Sequence, residues 1–409
     1  MRPQGALQYT MFRRNVNRFR RLLAVFSVVA SLLSLSACAT MDYYSQAIHG
    51  ELDLLADRQS IKSLIADPHT SPPLRKKLVL AQQLRSFASA MLGLPDNHSY
   101  TTYVALHRPY VNWNVFATPQ FSLKPVTWCF LFAGCVPYRG YFSKQAAFEF
   151  AASLRKKGDD VHISGVPVFS TLGWFNDPLL SNMLDWDDTT LANFIFHELA
   201  HQELYVEGDA DFNESYAVLV ADVSVHRWLQ ATRRGTELEG YEARQQHWRM
   251  IVRLVDATRA RLEQVYASGA SKEIMRQRKL AIFNNLRRNY TALRPQLDGD
   301  TGYDGFFSGT LNNASLLTVS IYTRWVPAFR VLLAQDHGDL PAFYRSVKQL
   351  AKLPSQQRHT ALEKLMPKRV EAMISINSGY ACAATAGARP AGSTCRDTRA
   401  PPLPGPAAR

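Results

Sequence analysis

The strongest chemical signal in this 409-residue sequence is His197-Glu198-Leu199-Ala200-His201. Residues four apart lie one above the other on a helix, so the two imidazoles can offer nitrogens to one cation at about 2.0 to 2.1 Å. Glu198, one step round, cannot ligate beside them but can take a proton from water activated at that cation. A third ligand candidate is Glu214, thirteen residues beyond His201, in Phe212-Asn213-Glu214-Ser215-Tyr216-Ala217. Two His and one Glu leave a fourth position open, the catalytic rather than the structural zinc arrangement, with one ion per chain. The blander readings are a pair of surface or core histidines, and a glutamate favoured near a helix N-terminus by the macrodipole. Glu203, Glu207, Asp209 and Asp211 compete with Glu214, which alone lies inside a regular helical pattern.

The motif needs a helix, and its flanks supply one. Asp188 can cap the start, and Leu191, Phe194, Ile195 and Leu199 recur as a buried stripe. Glu207-Gly208-Asp209-Ala210-Asp211 breaks that helix; Glu214 opens a second, with Ala217, Val218, Ala221 and Val225 spaced to pack back on the first. Upstream, Tyr43 to about Leu92 reads as a helix, a break at Pro68, Pro72 and Pro73, and a second helix. Thr101 to Leu106, Val111 to Thr118, Val126 to Phe132 and Val161 to Ser170 read as strands, with a helix from Ser143 to Lys157 before the last. Thr189 to Leu365 is predominantly helical and includes a hairpin of two long helices joined near Ser268-Gly269-Ala270-Ser271. The fold class is therefore α+β: a small mixed sheet followed by a mostly helical region, with the motif at the junction, where clefts form. The boundaries expected are 1–37, 38–186, 187–375 and a low-complexity tail, 376–409.

With 46% hydrophobic and 20% charged residues the composition is that of a folding globular chain, not a disordered one. Residues 1–37 stand apart. Arg13, Arg14, Arg18, Arg20 and Arg21 precede an apolar run from Leu22 to Leu35, the layout of an export signal and too short to span a bilayer comfortably. The run ends in Leu35-Ser36-Ala37-Cys38, which resembles the lipobox of bacterial lipoproteins, in which the cysteine is acylated and becomes the new N-terminus. That resemblance implies a lipid on Cys38, a membrane tether and a periplasm-facing protein, with Ala39 leaning toward the outer membrane; an ordinary signal peptide or uncleaved anchor is the alternative. Cleavage removes six arginines and lowers the net charge from +13 to +7. Many remaining positives fall between Arg244 and Arg294 at helical spacing, a solvated helix face rather than a membrane-surface or nucleic-acid patch, so no nucleic-acid partner is expected.

Four further cysteines suit an oxidising compartment. Cys129 and Cys135 flank a glycine-bearing turn, and Cys382 and Cys395 bracket an Ala/Gly/Pro-rich segment, so two local disulfides are expected in place of a thiolate zinc site, for which no C-x-x-C spacing exists.

His-Glu-x-x-His followed by Asn213-Glu214 at the head of a second helix resembles the gluzincins, the clan that includes thermolysin and the zinc aminopeptidases. More closely, Tyr138-Arg139-Gly140-Tyr141-Phe142, the run from Ser170 to Leu180, Asn213-Glu214-Ser215 and Asn312-Asn313-Ala314 resemble the bacterial family named putative aminopeptidases, over roughly residues 45 to 375. The resemblance implies zinc ligation by His197, His201 and Glu214, Glu198 as base, and a peptide substrate. It also implies an oxyanion donor from the helical region, for which Tyr322 leads Tyr303 and His226, and a substrate strand added to the edge around Val166 to Ser170. Two features depart from the clan. Val218 stands where thermolysin has an aspartate supporting a ligand histidine, and the strand before the zinc helix lacks the glutamate that usually holds a substrate's α-amine, Asp177 being the nearest carboxylate. Three functions fit: aminopeptidase, an endopeptidase acting on envelope proteins, and a non-catalytic envelope scaffold or binding lipoprotein.

Overall fold

A computed structural model describes residues 43–50, 52, 54–130, 134–168, 170–171 and 175–367. The export-like segment, Cys38, Cys382, Cys395 and the low-complexity tail lie outside the described residues. The chain divides into two compact units, 1–56 and 57–409. In the first, residues 43–50 are helical.

The second unit begins with β1 (Gln59–Ser60), α1 (Ile61–Ala66), α2 (Pro72–Leu92), β2 (Thr102–Val104), β3 (Asn112–Pro119), β4 (Trp128–Phe130), β5 (Gly134–Val136), β6 (Tyr138–Tyr141), α3 (Lys144–Lys156), β7 (Asp159–Val166) and β8 (Leu179–Leu180). The expected break falls over residues 67–71, between α1 and α2, and Pro72 and Pro73 stand at the start of α2, where the missing N–H costs nothing. The strands do not form the single sheet expected. β1, β2 and β8 make a small mixed sheet, β6, β3 and β7 an antiparallel one, and β4 and β5 a hairpin. The Cys129–Cys135 disulfide closes that hairpin. The strand expected over Val161 to Ser170 runs from Asp159 and stops at Val166, because Pro167 has no N–H to continue a ladder. β3 is buried over four consecutive residues, Val115 to Thr118, which requires cover on both faces.

The helical region comprises α4 (Asp188–Glu203), α5 (Ala210–Ala231), the long pair α6 (Gly235–Ala267) and α7 (Lys272–Leu293), then α8 (Asp304–Ser308), α9 (Asn313–Thr323), α10 (Val326–Gln335), α11 (Leu340–Ala351) and α12 (Ser355–Leu365). Asp187, not Asp188, caps α4, accepting from the Thr189 and Thr190 amides at 2.9 and 3.0 Å. Asp188 sits one residue in and pairs with Lys77 and Arg234 at 2.8 and 2.7 Å. Asn313–Gln335 is the one described stretch long and apolar enough to cross a membrane, and half of it is buried within the protein, as a core element would be.

Asn312 and Asn313 fasten that core element to the sheet. Asn312 caps α9 through the Ser315 amide and donates its Nδ2 to Val161 O at 3.1 Å. Asn313, fully buried, donates its Nδ2 to the Gln120 and Ser122 carbonyls at 3.1 and 3.0 Å, accepts from the Tyr266 hydroxyl at 2.8 Å, and donates its amide to Asp160 at 2.9 Å. Replacing Asn313 by alanine removes the donor to the Ser122 carbonyl and the acceptor of the Tyr266 hydroxyl, while the Gln120 carbonyl keeps Lys279 Nζ at 2.8 Å. We expect a loss of about 2 to 4 kcal/mol, read as a lowered urea midpoint. An unchanged midpoint would mean the clasp contributes nothing.

Candidate metal centre

α4 and α5 are joined by a six-residue loop and pack along one another. Their facing surfaces bring His197, His201 and Glu214 together. His201 Nε2 lies 3.1 Å from His197 Nε2, Glu214 Oε2 is 3.2 Å from His197 Nε2 and 3.5 Å from His201 Nε2. Three ligands of a tetrahedral ion at 2.0 to 2.1 Å are separated from one another by about 3.3 to 3.4 Å, so the trio fits one small divalent cation with little movement. It is also a set that makes poor sense as a hydrogen-bond cluster, since two ring nitrogens and one carboxylate oxygen converge on one point. Glu198 follows His197 on α4, only partly buried and free to serve the same space.

The loop geometry explains the Asn-Glu pairing in the sequence. Buried Asn213 donates its Nδ2 to Val206 O at 2.7 Å and accepts from Val206 N at 2.8 Å, stapling the loop that separates the two helices. α5 begins at Ala210, a turn earlier than expected, because Asp209 caps it through the Phe212 amide. Asp209 is in turn held by Arg358 and His359 of α12, at 2.7 and 2.8 Å. The rival carboxylates are thereby accounted for: Glu203 pairs with Lys348 at 2.6 Å, Asp211 with Arg324 at 2.9 Å, Asp209 is a cap, and Glu207 is exposed against Gly134 of the disulfide hairpin.

Tyr322 is the one oxyanion candidate brought to the trio. Its ring centroid is 6.4 Å from that of His197, on the edge of the cluster by which Phe116, Leu317 and Ile321 seat α9 against the sheet. Tyr303 stacks on Trp248 at 6.1 Å in the α6–α7 core, and His226 lies twelve residues past Glu214 on α5, about 18 Å along the helix, against Tyr241. Sequence reasoning missed Tyr205, whose ring is 6.3 Å from His201, and Tyr100, which packs against Phe194 of α4. Neither carries a motif. Asp177 is buried and accepts from Ser170 Oγ, Thr171 N and Thr171 Oγ1 at 3.0, 3.0 and 2.7 Å.

Charge in the metal-free trio is strongly coupled. Burial alone would raise the Glu214 carboxyl, but the two histidines outweigh it and hold the group far below the usual carboxylate range. Burial alone would lower His201, but Glu214, and behind it Glu198, raise it. The Glu214 charge, with burial second, pushes the Tyr322 hydroxyl well above its ordinary value, so it stays protonated and a donor. Burial and Glu214 push Tyr205 up to about 12. Asp177 rises to about 6, chiefly through burial. His201 Nδ1 is buried with no hydrogen-bond partner among the described residues.

An α+β chain whose two packed helices present a His-His-Glu group at the junction defines a protein with a group that could hold a metal ion. The chain belongs to a family described as putative aminopeptidase, which matches it over residues 42–362. No curated protein matches it, and no solved structure does.

Proposed function

We propose that this chain is a zinc-dependent peptidase that removes residues from the amino terminus of peptides, with the His197, His201 and Glu214 trio as its single metal site and a gluzincin-like arrangement of helices around it. The observation that carries this reading is the spacing of three donor atoms at 3.1 to 3.5 Å with a free carboxylate on the next residue of the same helix. A zinc ion there would supply Lewis acidity, lowering the pKa of water and polarising a carbonyl. Glu198 takes the proton of the attacking water and returns it to the leaving amine. The Tyr322 hydroxyl, kept protonated beside Glu214, donates to the oxyanion as it develops. β7 ends at Val166, so among the described residues the strand edge open to a substrate backbone is β7 itself rather than a strand reaching Ser170.

The test is a panel of amino-acid arylamides and internally quenched peptides, assayed with the purified zinc-loaded protein. Cleavage of the arylamides supports an aminopeptidase; cleavage of internal bonds alone makes it an endopeptidase with the same residues; turnover of neither leaves a binding or scaffold protein.

We further propose that Cys38 carries a lipid that tethers the protein to the envelope. The basic stretch, the apolar run and the small residues Ser36 and Ala37 directly before the cysteine support it. Mass spectrometry of the native N-terminal peptide is expected to find a diacylglyceryl-modified Cys38; an unmodified cysteine, or cleavage elsewhere, refutes it.

A further inference from the structure

The motif Tyr138-Arg139-Gly140-Tyr141 forms β6, but its glycine is not there for a left-handed backbone, since Gly140 has no positive φ. Its reason lies across the ladder. Gly140 pairs with Asn114 of β3, and a Cβ added to it would stand 3.1 Å from Asn114 Oδ1 and 3.7 Å from Asn112 Nδ2. Any side chain at this position crowds two amide groups, and glycine leaves the gap between them open. Successive side chains of a strand point to opposite faces, so Asn112, Asn114 and Phe116 share one face of the β6-β3-β7 sheet. Phe116 belongs to the cluster that seats Tyr322, whose ring lies 6.4 Å from that of His197. Asn114 is the next residue along that face, about 7 Å on, and Asn112 the next again.

Asn112 is only 5% exposed, and its Oδ1 and that of Asn114 are both sealed from solvent with no hydrogen-bond partner among the described residues. The two amides are therefore not bonded to each other. Buried amide oxygens without donors destabilise a fold, and two of them on neighbouring positions of one face are more than packing requires. The gap over Gly140 is faced by one acceptor, Asn114 Oδ1, and one donor, Asn112 Nδ2. Asn114 is flanked in the ladder by Gly140 and Ser164, neither of them charged. An ammonium drawn into that row would lose its water with no counter-charge to replace it. The uncharged group that carries a donor and an acceptor side by side is an amide.

We propose that Asn112 and Asn114, kept apart by Gly140, form a subsite for one backbone amide of a peptide, Asn114 Oδ1 accepting its N–H and Asn112 Nδ2 donating to its carbonyl. That the peptide is a substrate rests on the peptidase reading; the binding measurement does not. A dye-labelled alanine peptide, and versions with a single ester in place of one amide, are titrated into the zinc-loaded Glu198→Gln full chain and followed by fluorescence anisotropy. At one position along the peptide the ester, which has no N–H, is expected to weaken binding about tenfold. Asn114→Leu should weaken binding of the all-amide peptide by a similar factor, and in that variant the same ester should cause no further loss, because N–H and Oδ1 act as one pair. Gly140→Ala fills the gap without altering either asparagine, and should weaken binding while the melting temperature moves by less than about 2 °C; it keeps the test decisive if Asn114→Leu fails to fold. Two asparagines that only hold water give losses that are absent or simply add, and either result overturns the proposal, as does a chain that binds none of these peptides. A large loss on acetylating the peptide's amino terminus, with no ester effect, would mean that the row takes an ammonium, and overturns it too. Hydrolysis by the wild type without the coupled loss ends the subsite and keeps the peptidase; the coupled loss without hydrolysis ends the peptidase and leaves a peptide-binding chain.

Discussion

Glu198→Gln is expected to keep its zinc and its fold and to lose 10²- to 10⁴-fold in kcat, the range that acid–base catalysis contributes. The substitution is nearly isosteric and touches none of the three atoms that converge at 3.1 to 3.5 Å, so elemental analysis should still find one zinc per chain. The carboxamide has no basic oxygen with which to take water's proton, and it also removes a negative charge that bears on His201, Tyr100 and Tyr322. A purely electrostatic role for Glu198 would loosen or tighten the metal along with the rate; a role as base changes the rate alone. Steady-state kinetics beside metal content separate them, and a Glu198→Gln protein turning over peptide near the wild-type rate with zinc in place would sink the mechanism.

How much of this was legible beforehand follows from the kind of signal each element carries. The trio was legible because metal ligation imposes residue type and helical spacing together, and four-residue periodicity survives in a bare sequence. The Asn213 staple was legible only as a motif; its reason, a side chain closing the loop at Val206, needs the fold. The cap of α4 was misplaced by one residue because Asp187 and Asp188 are chemically alike, and only the ion pairs of Asp188 with Lys77 and Arg234 draw it away from the capping position. The separation of the strands into two small sheets and a hairpin was not legible, since pairing between β2 and β8 links residues more than seventy apart through backbone atoms that every residue shares. Tyr100 left no trace at all: nothing in Asn97-His98-Ser99-Tyr100 announces a positive φ, which is imposed by Asp177, Gln82 and Phe194 from three other parts of the chain.

Zinc itself should stabilise the wild-type protein and leave His201→Ala unmoved. Free zinc at a hundred times its dissociation constant adds about 2.7 kcal/mol, so the wild-type melting temperature should rise by roughly 5 °C and fall back when a chelator is added. His201 contributes the most buried of the three ligands, and without it two donors remain, too few to hold a zinc ion tightly. The metal-free proteins should differ as well. Glu214, whose folded pKa is depressed, stabilises above its ordinary value of 4.5 and loses that contribution as pH falls toward the depressed one; His201, whose folded pKa is raised, stabilises below its ordinary 6.5 and loses that contribution as pH rises through the raised value. The metal-free pair is therefore strongest between about 4.5 and 6.5, the window in which His201→Ala should cost most. Zinc needs the same histidine neutral, so the zinc-induced shift of the wild type should grow as pH rises from 6 to 8, while that of the variant stays near zero throughout. Differential scanning calorimetry at three pH values, with zinc and with chelator, tests both halves. A zinc-dependent rise of equal size in His201→Ala would place the ion elsewhere and remove the metal centre from the account.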